Sequence, residues 1–399
     1  MESRRIAILG STGSIGRQAL EIIAGSEALS VCALAAGSNW QALARQAKTF
    51  SPEAVAIADP HAAGELRGAL PEGVSLLAGP DAMADLVREV RPDLALTAMV
   101  GSAGVAPTLA AIECGVDLAV ANKESLVMAG AVIMPSARAA GVRVIPVDSE
   151  HSAVFQCLCG HDRADVRRVI LTASGGPFRT WPAERARTAS LEEVLNHPTW
   201  QMGRKVTIDS ATLMNKALEV IEAHWLFDLP AEAVEVVIHP ESVVHACVEF
   251  RDGTVLAQMG PPSMATPIAF ALHYPARAPA PAARLDLPAA GSLHFEPAEP
   301  ARFPAIALGH EVVRLGGPAG AVLNAANEAA VAAFVAGRIP FGRIVAIVEE
   351  VLNHVPGGPE VTLEAVWAAD AEARRRAEEI IAGRAGSKGR PETADRKGT

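Results

Sequence analysis

Asp148, Ser149 and Glu150 follow the apolar run Val142–Val147 and put two carboxylates two residues apart at the end of what reads as a β-strand. On an extended chain such side chains share a face. Two carboxylates on one face repel each other unless a cation, a proton or a lysine lies between them. The pair reads either as a solvated strand end or as part of a site for a hard divalent metal. Further along, Asp209-Ser210-Ala211-Thr212-Leu213-Met214-Asn215-Lys216-Ala217-Leu218-Glu219 reads as a helix beginning near Ser210. Its spacing sets Asn215 four residues and Lys216 three residues before Glu219, on neighbouring faces. An i, i+3 ion pair on a solvated helix is one reading. The apolar neighbours Leu213, Met214, Leu218, Val220 and Ile221 favour another, in which Glu219 adds a third carboxylate to Asp148 and Glu150 at an oxygen-rich site suited to Mg²⁺ or Mn²⁺.

Other polar groups have phosphate-binding or cofactor-binding character. Thr172-Ala173-Ser174-Gly175-Gly176-Pro177 is a small-residue turn whose N–H groups and hydroxyls suit an anion, phosphate first among them. The loop Asn196–Arg204, bounded by Pro and Gly, holds His197, Trp200 and Met202 and reads as a lid or as an aromatic packed onto the nearest domain. Gly10-Ser11-Thr12-Gly13-Ser14-Ile15-Gly16 follows the strand Arg5–Leu9 and opens a helix, Arg17–Ala24. In that context the glycines permit a tight turn and close approach of backbone to a pyrophosphate, although a purely structural turn has the same pattern. The second strand ends at Gly37-Ser38-Asn39 with no acid for a ribose 2′-hydroxyl, which favours NADP over NAD. Ala121-Asn122-Lys123-Glu124-Ser125 fits a helix start with Asn122 as cap and Glu124 favoured by the dipole. Lys123 opposes that dipole and needs another reason to be there. His239 and His245 read as structural or interfacial, and Cys157 and Cys159 carry no functional signal.

The elements that must position these groups follow an α/β plan. Residues 1–150 alternate short apolar runs (Ile6–Leu9, Val31–Ala35, Ala54–Ile57, Leu94–Thr97, Asp117–Val120, Val142–Val147) with helical patterns, which predicts a parallel sheet. Residues 151–275 read as α+β, with strands Val166–Thr172, Val234–Ile238, Val243–Phe250 and Thr254–Met259, loops and one helix. Residues 276–304 have linker composition, 305–383 are helical, and 384–399 read as a disordered tail. The 399 residues allow two or three domains, and 50% hydrophobic content is ample for their cores. A net charge of −10 argues against nucleic acid or an anionic membrane as partner. Five cysteines without a C-x-x-C pair suggest neither a disulfide framework nor a thiolate zinc site. Leu94–Ile112 and Gly253–Ala276 are uncharged or nearly so, but Gly and Pro break both, so no membrane span is expected. Met1–Arg5 run into the first strand with no secretory pattern, which makes the cytoplasm the expected location.

Seven segments, GSTGSIG (10–16), ANKESLV (121–127), PVDSEH (146–151), SGGPF (174–178), HPTWQMGRK (197–205), DSATLMNKALE (209–219) and LNAANE (323–328), resemble in order the 1-deoxy-D-xylulose 5-phosphate reductoisomerase family. The resemblance covers residues 4 to about 380. It implies an N-terminal Rossmann-like NADP-binding domain, an α+β catalytic domain with a flap near 196–205, a C-terminal α-helical domain, and a homodimer. It also implies an NADP-dependent oxidoreductase that rearranges 1-deoxy-D-xylulose 5-phosphate and reduces it with NADPH to 2-C-methyl-D-erythritol 4-phosphate, in non-mevalonate isoprenoid synthesis. A divalent cation, Mn²⁺, Mg²⁺ or Co²⁺, serves as Lewis acid in either a retro-aldol or an α-ketol route. By position, Asp148, Glu150 and Glu219 are metal ligands, and with Lys123 and His197 they form the catalytic set. Lys123, Ser149, Glu150, Ser174, His197, Trp200, Ser210, Asn215, Lys216 and Glu219 hold substrate. Thr12, Gly13, Ser14, Ile15, Gly37, Ser38, Asn39, Asn122, Glu124 and Gly203 fall on cofactor positions, and Trp200 and Met202 belong to the flap. Some family members have a basic residue where this chain has Ser38, so the grip on the 2′-phosphate is expected elsewhere. The rival expectations are a metal-dependent sugar-phosphate aldolase or lyase, and a non-catalytic Rossmann binding protein.

Overall fold

Strand β1 (Arg4–Leu9) shows how the first sheet is built: Ile6 and Ile8 enter one core, Ala7 and Leu9 the other. A strand buried on both faces needs an apolar run rather than an alternating one, and that run is what the sequence carries. The structure, a computed structural model, describes residues 3–200, 202–354 and 361–383. The expected tail, 384–399, lies outside the described residues.

Around β1 the strands β2 (Leu29–Ala36), β3 (Ala54–Ile57), β4 (Ser75–Ala78), β5 (Leu94–Thr97), β6 (Asp117–Val120) and β7 (Val144–Pro146) form one sheet in the order β4-β3-β2-β1-β5-β6-β7. Every pairing in it is parallel. The order reverses between β1 and β5, and the crevice outside the carboxyl ends of the strands at such a point is where open α/β sheets bind ligands. Strand β4 was not anticipated. It is a short edge strand whose end residues are exposed, so it has no apolar run to announce it.

The second sheet has the order β11-β10-β8-β9-β12, from β8 (Val166–Ala173), β9 (Val234–Ile238), β10 (Val244–Phe250), β11 (Val255–Met259) and β12 (Glu296–Pro297). Only β8 and β9 pair in parallel. The segment 151–275 is richer in helix than its strand-and-loop reading. It holds most of helix Ser149–Leu158, then Ala183–Arg187, Leu191–Leu195, Arg204–Thr212, Met214–Phe227 and Ala265–His273. Several are short, and Arg204–Thr212 buries Thr207, Asp209, Ser210 and Thr212, so it presents no apolar stripe to read. The supposed linker also contributes structure, a short helix (Leu287–Ala290) and β12 at the sheet edge, where Pro297 is tolerated.

The C-terminal segment is helical as expected: Pro304–Leu315, Ala319–Val335, Ile344–Leu352 and Leu363–Ile381. Its Ala319 helix lies so close to helix Lys123–Ala140 that a Cβ on Gly320 would fall 1.8 Å from the Val127 carbonyl oxygen. Among the described residues no helix is long and apolar enough to cross a membrane, and all five cysteines are free.

Candidate active site

The first correction concerns Asp148 and Glu150. They do not share the face of a strand: β7 stops at Pro146, and the chain turns at Asp148 into a helix that begins at Ser149. Asp148 occupies the N-cap position, yet its side chain makes no capping hydrogen bond. Glu150 sits in the first turn, so the two carboxylates converge because the chain changes direction. Helix Met214–Phe227 supplies the third: donor oxygens of Asp148, Glu150 and Glu219 all lie within 4.8 Å of one another.

Two lysines balance them. Lys123, the first residue of its helix, places Nζ against Asp148 Oδ2 and 3.0 Å from both Glu219 Oε1 and Asn215 Oδ1. That explains a cation in a first turn, where the dipole disfavours it. Lys216 Nζ donates to Glu150 Oε1 at 2.8 Å, to the Thr172 carbonyl at 2.6 Å and to Glu219 Oε2. Asn215 Nδ2 donates to Glu219 Oε1 at 2.5 Å. The Lys216–Glu219 pair is thus the i, i+3 pair the spacing allows, but it is buried rather than solvated. Burial, aided by Glu150, raises the Glu219 carboxyl to about 7. Burial acts the same way on Glu150, but Lys216 outweighs it and holds that carboxyl below the usual range. For both lysines the carboxylates outweigh burial and keep the ammonium charged.

The helix read as one unit from Ser210 is two. Helix Arg204–Thr212 ends, Leu213 adopts a left-handed conformation (φ 55°, ψ 19°), and helix Met214–Phe227 begins. Ser210 therefore ends one helix while Asn215, Lys216 and Glu219 open the next. Opposite Ser210 lies the turn after β8, where Gly176 (φ +67°) is so close that a Cβ would meet the Ser210 carbonyl oxygen at 2.8 Å. His197 ties the two together, with Nε2 3.2 Å from Ser174 Oγ and 3.1 Å from Ser210 Oγ. Its Nδ1 accepts N–H bonds from Thr199 (3.1 Å) and Trp200 (2.9 Å), so the ring proton sits on Nε2. Burial lowers the His197 pKa and keeps the ring neutral.

A cleft of about 210 Å³ joins these groups, His197 excepted, which is bonded to Ser174 and Ser210 but does not itself line the cleft. Its walls include Lys123, Asp148, Ser149, Glu150, Ser174, Trp200, Ser210, Asn215, Lys216 and Glu219, together with Ser14, Ile15, Met202 and Gly203. The remaining cofactor positions do not line it. Thr12 and Gly13 lie in the glycine turn, and Gly37, Ser38 and Asn39 are exposed beyond β2, with Asn39 capping the next helix. Asn122 and Glu124 are buried: the Asn122 amide reaches the Met99 and Gly101 carbonyls and Glu124 instead of capping. The glycine turn itself is tightly packed, since a Cβ on Gly10 would lie 2.6 Å from Ala98 backbone atoms and one on Gly16 2.5 Å from the Gly10 oxygen. Its helix starts at Ser14 rather than Arg17, which leaves first-turn N–H groups free for a pyrophosphate.

The sequence reading missed several groups at the site. Ser242, His245 and Met264 line the cleft, with the Trp200 and His245 rings 6.3 Å apart. His151 and Glu222 are fully buried beside Asp148, and His151 Nε2 bonds the Glu219 carbonyl at 2.9 Å. The histidine next to Glu150 was the available signal; nothing at Glu222 distinguished it from the helix around it. His239 is structural, bonded through Nδ1 to the His294 carbonyl.

Family models cover most of the chain: 1-deoxy-D-xylulose 5-phosphate reductoisomerase over residues 6–130, its C-terminal domain over 144–227, and the DXP reductoisomerase C-terminal domain over 259–376. The chain is 47% identical over 380 residues to the 1-deoxy-D-xylulose 5-phosphate reductoisomerase of Geotalea uraniireducens (strain Rf4), covering 95% of this chain and 98% of that one. It is 48% identical over 385 residues to the one from Anaeromyxobacter dehalogenans (strain 2CP-1 / ATCC BAA-258), with 96% and 98% covered. Among solved structures it is similar to the Zymomonas mobilis reductoisomerase in complex with NADPH (TM-score 0.89, 43% identity, 95% and 99% covered). It is also similar to a DOX-P reductoisomerase in complex with NADPH, fosmidomycin and magnesium (TM-score 0.88, 38% identity, 95% and 98% covered).

Proposed function

The chain belongs to the 1-deoxy-D-xylulose 5-phosphate reductoisomerase family, and from that premise we propose how its residues divide the work. The enzyme converts 1-deoxy-D-xylulose 5-phosphate to 2-C-methyl-D-erythritol 4-phosphate with NADPH and a divalent cation, a step of non-mevalonate isoprenoid synthesis. One observation carries the assignment of the site: three carboxylates and two lysines converge at the carboxyl end of a parallel sheet, one wall away from a glycine turn.

Asp148, Glu150 and Glu219 would hold a hard divalent ion, since their oxygens come close to one another at the wall of the cleft. Such an ion, magnesium or manganese, supplies Lewis-acid stabilisation of charge on the substrate oxygens during the rearrangement. Lys123 and Lys216 hold negative charge at the same place, and Asn215 orients Glu219. Ser149, at the start of its helix, is a substrate contact. At the other end of the cleft the His197 Nε2–H and the hydroxyls of Ser174 and Ser210 supply neutral donors for the phosphate, on a turn already suited to an anion. Trp200 and Met202 close over the substrate and exclude water, which strengthens every polar contact inside. Thr12 to Ile15 receive the NADPH pyrophosphate at the helix start. Gly203 meets the cofactor from the flap, and Gly37, Ser38 and Asn39 meet its ribose end. Asn122 and Glu124 belong to this set through the wall they form behind Lys123.

The reading extends to a homodimer in the cytoplasm. Strand β11 is at the sheet edge and exposes Val255, a surface a second copy can cover; sedimentation of the purified protein tests it. The activity is tested by following NADPH absorbance with 1-deoxy-D-xylulose 5-phosphate and Mg²⁺ or Mn²⁺, with and without chelator. Metal-dependent oxidation is expected. Carbon–carbon cleavage without NADPH oxidation would mean an aldolase, and nucleotide binding without turnover a binding protein.

A further inference from the structure

Lys205 stands in the first turn of helix Arg204–Thr212, beside Arg204, with no acidic residue there to offset the helix dipole. A buried cation at a helix start opposes the dipole and needs acidic partners to hold it. For Lys205 one such partner is Glu124, in the first turn of helix Lys123–Ala140: Nζ lies 3.0 Å from Glu124 Oε1 and 2.9 Å from Asp209 Oδ2, one turn along its own helix. All three side chains are largely buried, at 18%, 7% and 2% exposure. The chain of contacts continues at both ends. Glu124 Oε2 accepts from Asn122 Nδ2 at 2.9 Å, and Asn122 reaches the Met99 carbonyl beside the glycine turn. Asp209 Oδ1 accepts from Asn327 Nδ2 at 2.9 Å, and Asn327 is a fully buried residue of the C-terminal Ala319 helix.

Two helix starts from different parts of the chain are thereby held head to head. Each carries a wall of the cleft: Lys123 belongs to one, and Gly203, with Met202 of the flap, immediately precedes the other. Burying two carboxylates around one ammonium is costly unless the geometry satisfies all three, and here all four carboxylate oxygens have a partner. Burial alone would raise the Glu124 carboxyl, but Lys205 outweighs it and holds it below the usual range.

We infer that Lys205, held by Asp209 and Asn327, is a positioning residue that clamps the carboxyl end of the flap to the Lys123 helix through Glu124. Glu124 then serves the cofactor wall by what it holds, since its oxygens are already committed. The C-terminal helices contribute one amide to the geometry of a cleft they do not line. The inference rests on the reductoisomerase reading only for its assay.

The test compares Lys205→Met, Glu124→Gln and the double variant with the unaltered enzyme. Three quantities are read: the KM for 1-deoxy-D-xylulose 5-phosphate against kcat, the NADPH Kd by fluorescence titration, and the rate of chymotryptic cleavage after Trp200 relative to the exposed Phe295. Each single variant should raise the sugar-phosphate KM about tenfold, with a smaller change in kcat, as a displaced wall does. Cleavage after Trp200 should quicken while cleavage at Phe295 does not. The double variant should be no worse than Lys205→Met alone, because that change already removes the contact with Glu124. If a single variant fails to fold, the triple variant Lys205→Met, Glu124→Gln, Asp209→Asn removes the buried charges together and should show the same KM and cleavage change. The clamp is refuted if Glu124→Gln weakens NADPH binding while Lys205→Met alters neither KM nor cleavage. It is equally refuted if cleavage at both sites rises together, which marks global loosening. The cleavage ratio needs no turnover, so an inactive unaltered protein would overturn the activity while still reading the clamp.

Discussion

The two walls of the cleft are made of different material. On the nucleotide side the chain offers main chain: a turn whose glycines sit against backbone of Ala98, Ser11 and Gly10 itself, and the N–H groups of a helix start. On the proposed metal side it offers side chains from three elements, three carboxylates against two ammoniums, with Lys216 and Glu219 buried and the other three half-buried. At its glycine turn the first wall is set by steric fit. The second is set by charge balance, and a single neutralised group leaves another unpaired in a low dielectric.

That contrast predicts a graded series. Asp148→Asn or Glu150→Gln should lower metal-dependent turnover by at least about a hundredfold, the upper end of what even outer-shell changes cost. NADPH binding, followed by fluorescence, should change less than about twofold; parallel loss of both would show that the walls are not independent. Next comes Gly16→Ala, whose Cβ would press on the Gly10 oxygen. Overpacking of this kind costs about 1–3 kcal/mol, and it should weaken NADPH binding about tenfold while Mn²⁺ binding, read by EPR, is retained. A third change acts through pH. His197 titrates below its ordinary value because burial disfavours its charged form. The neutral ring's contribution is therefore full above the unfolded value near pH 6.5 and is lost as pH falls through the lower folded value. Protonation also ends acceptance at Nδ1 from Thr199 and Trp200. The KM for the sugar phosphate should climb on that acid limb, and His197→Gln should flatten it; an unchanged limb would place the titration elsewhere. The smallest effect belongs to Gly37→Ala, where a Cβ would meet nothing within 4 Å. Stability should move by no more than about 0.5 kcal/mol, and a large loss of NADPH affinity would extend the close-fitting wall to the end of β2.

The same contrast governs what could be read from the sequence. Apolar runs buried on both faces announced six strands of the parallel sheet, while β4, at the edge and half exposed, gave no signal. The glycine turn was legible because steric need selects glycine. Lys123 and Glu219 were legible as oddities, a cation against a dipole and an acid among apolar residues. Asp148 and Glu150 were found through a strand geometry that the structure replaces with a strand-to-helix corner. Glu222 and the link from Lys205 to Glu124 were beyond reach, because their meaning lies in contacts between segments far apart in sequence.

Leu213 carries a consequence of its own. The hydroxyl-rich end of the cleft, at Ser210, and its carboxylate end, at Glu219, belong to helices that would be one without this left-handed residue. An unbroken helix would fix their separation at 1.5 Å per residue and their bearing at the helical turn. One residue with positive φ resets both, at a conformational cost of about 1–2 kcal/mol. In the proposed site the spacing between the hydroxyl end and the carboxylate end is thus set at a single joint, and variants that accept a longer or shorter phosphate ester are to be sought by altering it.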